Sequence, residues 1–427
     1  MNNRKSIAVV GSGIAGMTAA HLLSRQYQVT LFEAEDRLGG HTATRDVEIA
    51  GQKLAVDTGF IVFNDWTYPN FIRLLDQLGV ASQPTEMSFS VSCEISGLEY
   101  NGHNLDTLFA QRKNIVSPKF LRMLGDVLKF NKEAPAELEA GLLKEDETLG
   151  SYLKRKRYSP AFVQDYLIPM GAAIWSSGMT AMQDFPVIFF VRFFKNHGLL
   201  NVSNRPQWRV IKGGSRAYIE PLVRPFAEGI RLSTPVTGIH RRNDKVQVTS
   251  RFGEEEFDEL VLACHSDQAL ELLKDASDRE QELLQAVPYR MNDVVLHTDA
   301  RLLPRQSRAW ASWNYRRRDP ARLQSGQDDL SLVSLTYYMN RLQGLKLDEH
   351  LCVTLNDSPM IDPDKVLGRY RYAHPVFTLK GMQAQQDIQK MNGQQHTWFC
   401  GAWCRNGFHE DGVASALAVT EKLGVTL

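Results

Sequence analysis

The stretch Ser6-Ile7-Ala8-Val9-Val10-Gly11-Ser12-Gly13-Ile14-Ala15-Gly16 decides the fold class. The run to Val10 reads as a short buried strand. G-x-G-x-x-G then breaks it, and Ile14 to Leu23 continues at helical spacing. Gly11 permits the tight turn, Gly13 lets the backbone approach a diphosphate, and Gly16 lets helix and strand pack closely. The helix N-terminus offers unpaired N–H groups and a positive dipole end to phosphate. Val29 to Phe32 reads as a second strand, followed by Glu33, whose carboxylate can accept bonds from ribose hydroxyls. Strand, helix and strand within about 30 residues make the unit of a parallel sheet. This is a Rossmann-type α/β pattern for a dinucleotide. The motif alone does not separate NAD from FAD.

Working outward, Pro69 to Leu78 predicts an amphipathic helix that ends at Gly79. From about residue 81 to 209 the texture becomes helix-rich, with large aromatics between Ile168 and Leu200. From Gly213 the βα texture returns, with strands predicted at Ile230 to Leu232, Val246 to Thr249 and Leu260 to Cys264. An aromatic, strand-like stretch runs from Val294 to Leu355. Thr397 to Cys400, then Gly412 to Leu423, closes the chain as strand, loop and helix. The expected organisation is one α/β domain assembled from 1–80, 210–290 and 391–427. An α+β substrate domain is inserted as 81–209 and 291–390.

Composition narrows the class. Of 427 residues, 49 are Lys or Arg and 49 are Asp or Glu, so the net charge is zero. That balance argues against a nucleic-acid binder. The basic runs Lys154-Arg155-Lys156-Arg157 and Arg316-Arg317-Arg318 lack interleaved aromatics and read as solvated faces. Cys93, Cys264, Cys352, Cys400 and Cys404 are too sparse for a secreted disulfide framework. Cys400 and Cys404 lack a second pair at zinc-ligand spacing, so no metal is expected. Met1 to Lys5 carries no signal-peptide pattern, and Pro186 to Phe194 is too short to span a bilayer. A cytoplasmic protein is the expectation.

The residues after Glu33 point to FAD. Ala34-Glu35-Asp36-Arg37-Leu38-Gly39-Gly40-His41-Thr42 resembles the E-A-x-x-R-x-G-G-R extension of the flavin amine oxidase superfamily. In that family the Arg and the paired glycines wrap the FAD diphosphate, a role the resemblance passes to Arg37, Gly39 and Gly40. Here His41 stands where a second Arg usually sits. Val56-Asp57-Thr58-Gly59-Phe60 is similar to the family's D-x-G segment, which passes the flavin. Phe399-Cys400-Gly401-Ala402 and Glu410-Asp411-Gly412-Val413-Ala414 resemble its closing strand, loop and helix. The resemblance implies that the helix beginning at Gly412 points at the N1/O2 edge of the flavin. Its dipole would then stabilise reduced flavin. The implied cofactor site is Gly11, Gly13, Ile14, Ala15, Gly16, Glu33, Ala34, Arg37, Gly39, Gly40, His41, Thr58, Gly59, Phe60, Val236, Gly401, Gly412 and Val413.

Further segments narrow the resemblance. These are Gly59 to Asn64, Lys212-Gly213-Gly214-Ser215-Arg216-Ala217-Tyr218, His265 to Leu270, Trp313-Asn314-Tyr315 and Gly407 to Gly412. They look like a bacterial branch associated with cyclopropane-fatty-acid-synthase-like methyltransferases. Some relatives there desaturate methyl-branched acyl chains. The resemblance implies an FAD-dependent oxidoreductase acting on a lipid acyl chain, with a lipid methyltransferase as partner. The alternatives are an amine oxidase, a carotenoid-type desaturase, or a non-catalytic flavoprotein that assists the methyltransferase.

Several residues carry two readings. His265-Ser266-Asp267 has the letters of a hydrolase triad, but adjacent residues cannot line up for proton transfer; a strand end and helix cap is preferred. His409 and Glu410 are the candidates for proton or substrate handling, with loop structure as the alternative. Cys404 raises covalent flavin attachment, but its surroundings do not match the family's covalent motif, so FAD is expected to be non-covalent. The aromatics at Ile174-Trp175 and Phe185 to Phe194 read as core or as the wall of an acyl tunnel. Ser117 to Phe130, with Lys119, Arg122 and Lys129 among apolar residues, predicts an amphipathic helix. It either packs on the core or lies peripherally on an anionic membrane face.

Overall fold

A computed structural model describes residues 4–242, 244–319 and 333–427. Residues 1–3, and 320–332 within the expected strand-like stretch from Val294 to Leu355, lie outside the described residues.

Ser6–Val10 is buried on both faces, as its apolar run requires. It lies at the centre of a five-stranded parallel sheet. The order is Ile230–Arg231, Gln28–Phe32, Ser6–Val10, Glu259–Leu262 and Thr397–Phe399. Segments far apart in sequence therefore meet in one sheet. Ile7 and Val9 face a core shared with the first helix, Ile14–Leu23, and the closing helix, His409–Lys422. Ala8 and Val10 face the opposite core, with Ile388 and Met391 of the helix Leu379–Met391. The second inserted segment thus stops contributing to the large sheet at Pro375.

That large sheet has seven strands. Its order is Val366–Pro375, Tyr289–His297, Cys352–Leu355, Ser334–Tyr338, Trp313–Arg317, Phe89–Cys93 and Glu99–Asn101. One face carries Val91, Tyr315 and Leu335 into a core with Phe130, Phe162, Trp175, Phe190 and Phe194. A helical layer, including Pro118–Glu139 and Val187–Asn196, therefore rests on this sheet. No helix among the described residues is long and apolar enough to cross a membrane.

Residues of both basic runs pair with carboxylates. Arg155 and Lys156 pair with Glu147 and Glu137, at 2.8 and 2.6 Å. Arg317 reaches Asp165 at 3.0 Å, and Arg316 pairs with Glu94.

Candidate functional site

The glycine loop sits at the carboxyl ends of the strands Ser6–Val10 and Glu259–Leu262, where doubly wound folds bind their ligands. Gly11 has φ +103°, and its N–H donates to the Phe32 carbonyl at 2.9 Å. A Cβ on Gly16 would lie 2.0 Å from the Gly11 carbonyl oxygen, so only glycine allows this contact between helix and turn. Gly13 differs: no atom lies within 4 Å of where its Cβ would be. The loop is closed beneath by packing and open above.

Glu33 reaches the loop from the end of the second strand. It accepts the Ser12 N–H and the Glu35 N–H, each at 2.9 Å, and the Ser12 hydroxyl. Ala34 beside it is exposed. The Gly39 N–H donates to the Ser12 carbonyl at 3.1 Å, and a Cβ on Gly40 would lie 3.3 Å from Gly13 Cα. The paired glycines therefore fold directly over the open loop. Arg37 turns inward and donates to the Gly40 carbonyl at 3.0 Å. A Cβ on Gly59 would lie 2.2 Å from the His41 carbonyl oxygen, which accepts the Phe60 N–H at 2.8 Å. Thr58 donates to the Ala43 carbonyl and accepts from Tyr372.

His41 faces His265, Tyr372 and His374, with ring centroids 6.1, 5.3 and 5.4 Å away. Burial, reinforced by His265, pushes His41 down to about 4. It is therefore neutral near pH 7 and cannot copy the charge of the Arg it replaces. Its Nε2 is buried without a partner.

The closing segment corrects three expectations. The helix begins at His409 rather than at Gly412. Gly412 lies in its first turn, with its N–H bonded to the Phe408 carbonyl at 3.0 Å. A Cβ at 412 would meet Ile14 Cγ2 at 2.7 Å. Glycine is needed there because the first helix crosses, and Ile14 and Val413 belong to the packed interface. Glu410 is not poised for proton transfer. Its carboxylate accepts Asn70 N–H, Asn70 Nδ2 and Phe71 N–H at 3.2, 2.6 and 2.9 Å, capping the helix Pro69–Leu78. His409 is buried and stacked on Phe60, centroids 3.4 Å apart, with Nε2 shared by Thr42 and Tyr218. Burial holds it neutral, with His41 adding to the shift.

The other expected residues fall on two sides. Ala15 packs with the first helix, Val236 joins Val10 and Phe32 under the sheet, and the Gly401 N–H donates to Ser415 at 2.9 Å. Ser266, of the apparent triad, starts the helix Ser266–Leu272, and its hydroxyl donates to the Val287 carbonyl. Cys404 is buried, and burial raises its thiol, so it is no ready nucleophile.

Sequence reasoning did not assign Asp57, Ser215, Tyr372 or His374 to the site. Asp57 accepts Ser215 N–H at 2.9 Å and Thr44 hydroxyl at 2.6 Å, tying two distant motifs together. Burial pushes it up to about 6. Tyr370, Tyr372 and His374 alternate along one strand, a period-2 pattern that was available in the sequence.

Gly13 open beneath Gly40, the unpartnered His41 Nε2 and the carboxylate of Glu33 fit an FAD: backbone room for a diphosphate, a polar neighbour, and a ribose acceptor. The model of the family described as flavin containing amine oxidoreductase matches residues 14–421. The chain belongs to this family. That family is described by a flavin and by amine oxidoreduction. One relative is the putative flavin-containing monoamine oxidase AofH of Mycobacterium tuberculosis, 25% identical over 266 residues. The match covers 60% of this chain and 56% of that protein, so the chain spans little more than half of it. Among solved structures, a putative protoporphyrinogen oxidase from Exiguobacterium sp. 255-15 superposes with a TM-score of 0.70 at 16% identity, covering 99% of both chains. A fatty acid isomerase from P. acnes that produces CLA does so with 0.65 at 15%, again covering 99% of both. These likenesses are of fold.

Proposed function

We propose that the protein oxidises an apolar acyl chain of a lipid, removing two hydrogens to leave a C=C bond. The observation that carries this reading is the aromatic wall where the helical layer meets the closing segment. Phe193 lies 5.1 Å from Phe408, and Phe189 lies 5.7 Å from Phe377. Phe408 packs against both the helical core and the sheet core. The titratable group in this wall is His197, stacked on Phe193 at 3.8 Å. Burial pushes His197 down to about 4, so it adds no charge. Such a wall suits hydrocarbon and excludes water. Bound FAD supplies the two-electron oxidant, and this chain binds, orients and shields the substrate. We assign the FAD as non-covalent, since the cysteine candidate Cys404 is buried and burial holds its thiol protonated.

A membrane face supports a lipid substrate. Ile115, Val116, Leu121 and Leu128 are exposed along Arg112–Val116 and Pro118–Glu139, with Lys119 and Arg122 beside them. This combination suits peripheral contact with anionic lipid. A methyltransferase that alkylates an acyl chain would supply the branched substrate.

An amine substrate is the second reading, favoured by the AofH relative and by the attraction of aromatic faces for cations. Anaerobic incubation with methyl-branched, cyclopropane and plain unsaturated phospholipids, set beside primary amines, separates the two. Lipid should bleach the flavin and amines should not. Bleaching by amines alone would replace the lipid reading, and bleaching by neither would favour the non-catalytic partner role.

A further inference from the structure

We propose that His41, His265 and His374 together form an imidazole site for the FAD diphosphate, and that this site takes up a proton when the cofactor binds. The three rings come from three elements. His41 follows the Gly39-Gly40 turn over the glycine loop. His265 follows the strand Glu259–Leu262, and a Cβ on Gly11 would lie 3.2 Å from the neighbouring Cys264 N. His374 ends the strand Val366–Pro375. His41 follows the turn that covers Gly13, and the His265 and His374 rings lie 6.1 and 5.4 Å from the His41 ring.

Their hydrogen bonds leave capacity for an anion. Asn356 Nδ2 donates to Asn292 Oδ1 at 2.8 Å, which orients the Asn292 amide. Asn292 Nδ2 then meets His374 Nδ1 at 3.3 Å, so His374 carries its proton on Nε2 and presents a donor. His41 Nε2 has no partner. His265 stacks on Tyr289 at 4.3 Å, which holds its plane.

Without an anion the rings are neutral. His374 is pushed down to about 3 by burial and by His41, and His265 to about 4 by burial and by His374. Arg37 and the neighbouring histidines oppose charging of His41, and His409 lies close enough to feel it. Glu33 and Asp267 stand near Cys264, Asp267 acts also on Tyr289, and Tyr372 faces His41. Arg37 is held on the Gly40 carbonyl. A diphosphate placed here favours the charged imidazole, and mutual repulsion among rings this close limits the site to about one shared proton.

The sign follows by linkage. Each histidine has a higher pKa in the complex than in the free chain. The added affinity is therefore full at low pH and is lost as pH rises through the bound-state value.

The test is calorimetric titration of the cofactor-free chain with FAD, in two buffers of different ionisation heat. We expect uptake of up to about one proton per FAD, and a Kd that rises by up to about tenfold per pH unit across that transition. His41→Arg, which carries a permanent charge, should bind FAD with less uptake and a flatter pH dependence. Riboflavin, which lacks the diphosphate, should show no uptake. No uptake and a flat Kd in the native chain would overturn the proposal, as would equal uptake with riboflavin.

Discussion

The glycine cradle and the aromatic wall are built from opposite materials. The cradle is made of backbone, with glycines where another chain segment passes within van der Waals distance and carboxylates that anchor N–H groups. Gly16, Gly59 and Glu33 each meet a named backbone atom. The wall is made of large side chains from distant elements, Phe193 and Phe189 from one helix, Phe377 and Phe408 from elsewhere. A backbone-built site tolerates few residue types and binds one thing. A wall of rings can be reshaped while the fold stands.

Breaking the cradle should have the largest effect. Gly16→Val forces a side chain into the Gly11 carbonyl, beyond the 1–3 kcal/mol usual for about one misfit methylene in a core. Purified protein should be colourless, or should not be recovered folded. Glu33→Ala comes next. It leaves the Ser12 and Glu35 N–H groups without an acceptor and costs about 1.5–3 kcal/mol. FAD affinity by fluorescence titration should fall on the order of tenfold or more.

Gly412→Ala tests whether the closing glycine answers to the first helix rather than to the flavin. The new Cβ meets Ile14, costing about 1–3 kcal/mol in thermal unfolding. Ile14→Ala in the same chain should restore part of the loss. An unchanged melting temperature with a shifted flavin potential would point to the flavin instead.

Phe193→Leu removes three ring carbons from a buried position and should cost about 1–3 kcal/mol. It should leave FAD content unchanged while raising the lipid concentration needed to bleach it. Loss of FAD in this variant would break the separation between cradle and wall.

A pH-dependent effect concerns Asp411, which burial pushes up from 3.8 to about 7. A raised carboxyl pKa makes its contribution to stability full below about pH 4 and lost as pH rises towards 7. Asp411→Asn lacks this titration but can still accept the Phe408 N–H, which Asp411 takes at 2.9 Å. The stability of the variant relative to the native chain should improve over that window in pH-dependent urea unfolding.

The cradle was legible because its reasons are local. Gly11 to Gly16, Glu33 and Gly39-Gly40 act within one strand–helix–strand unit, and the helix Pro69–Leu78 ends at Gly79 with φ +68° as its pattern predicts. The same locality misled at Gly412, because the residue it touches, Ile14, lies at the other end of the chain. Glu410 escapes a local reading for the same reason: its partners Asn70 and Phe71 are 340 and 339 positions away. The histidine cluster and the aromatic wall form only when the two sheets come together. No spacing within one segment records that.

Product analysis after one anaerobic turnover distinguishes lipid oxidation from amine oxidation. The purified flavoprotein is mixed with a methyl-branched phospholipid under argon, flavin absorbance is followed, and the lipid is weighed by mass spectrometry. We expect one lipid lighter by two hydrogens for each flavin reduced, with the new double bond in the acyl chain. Flavin that stays oxidised with every lipid, yet is reduced by a primary amine with release of ammonia, would contradict it.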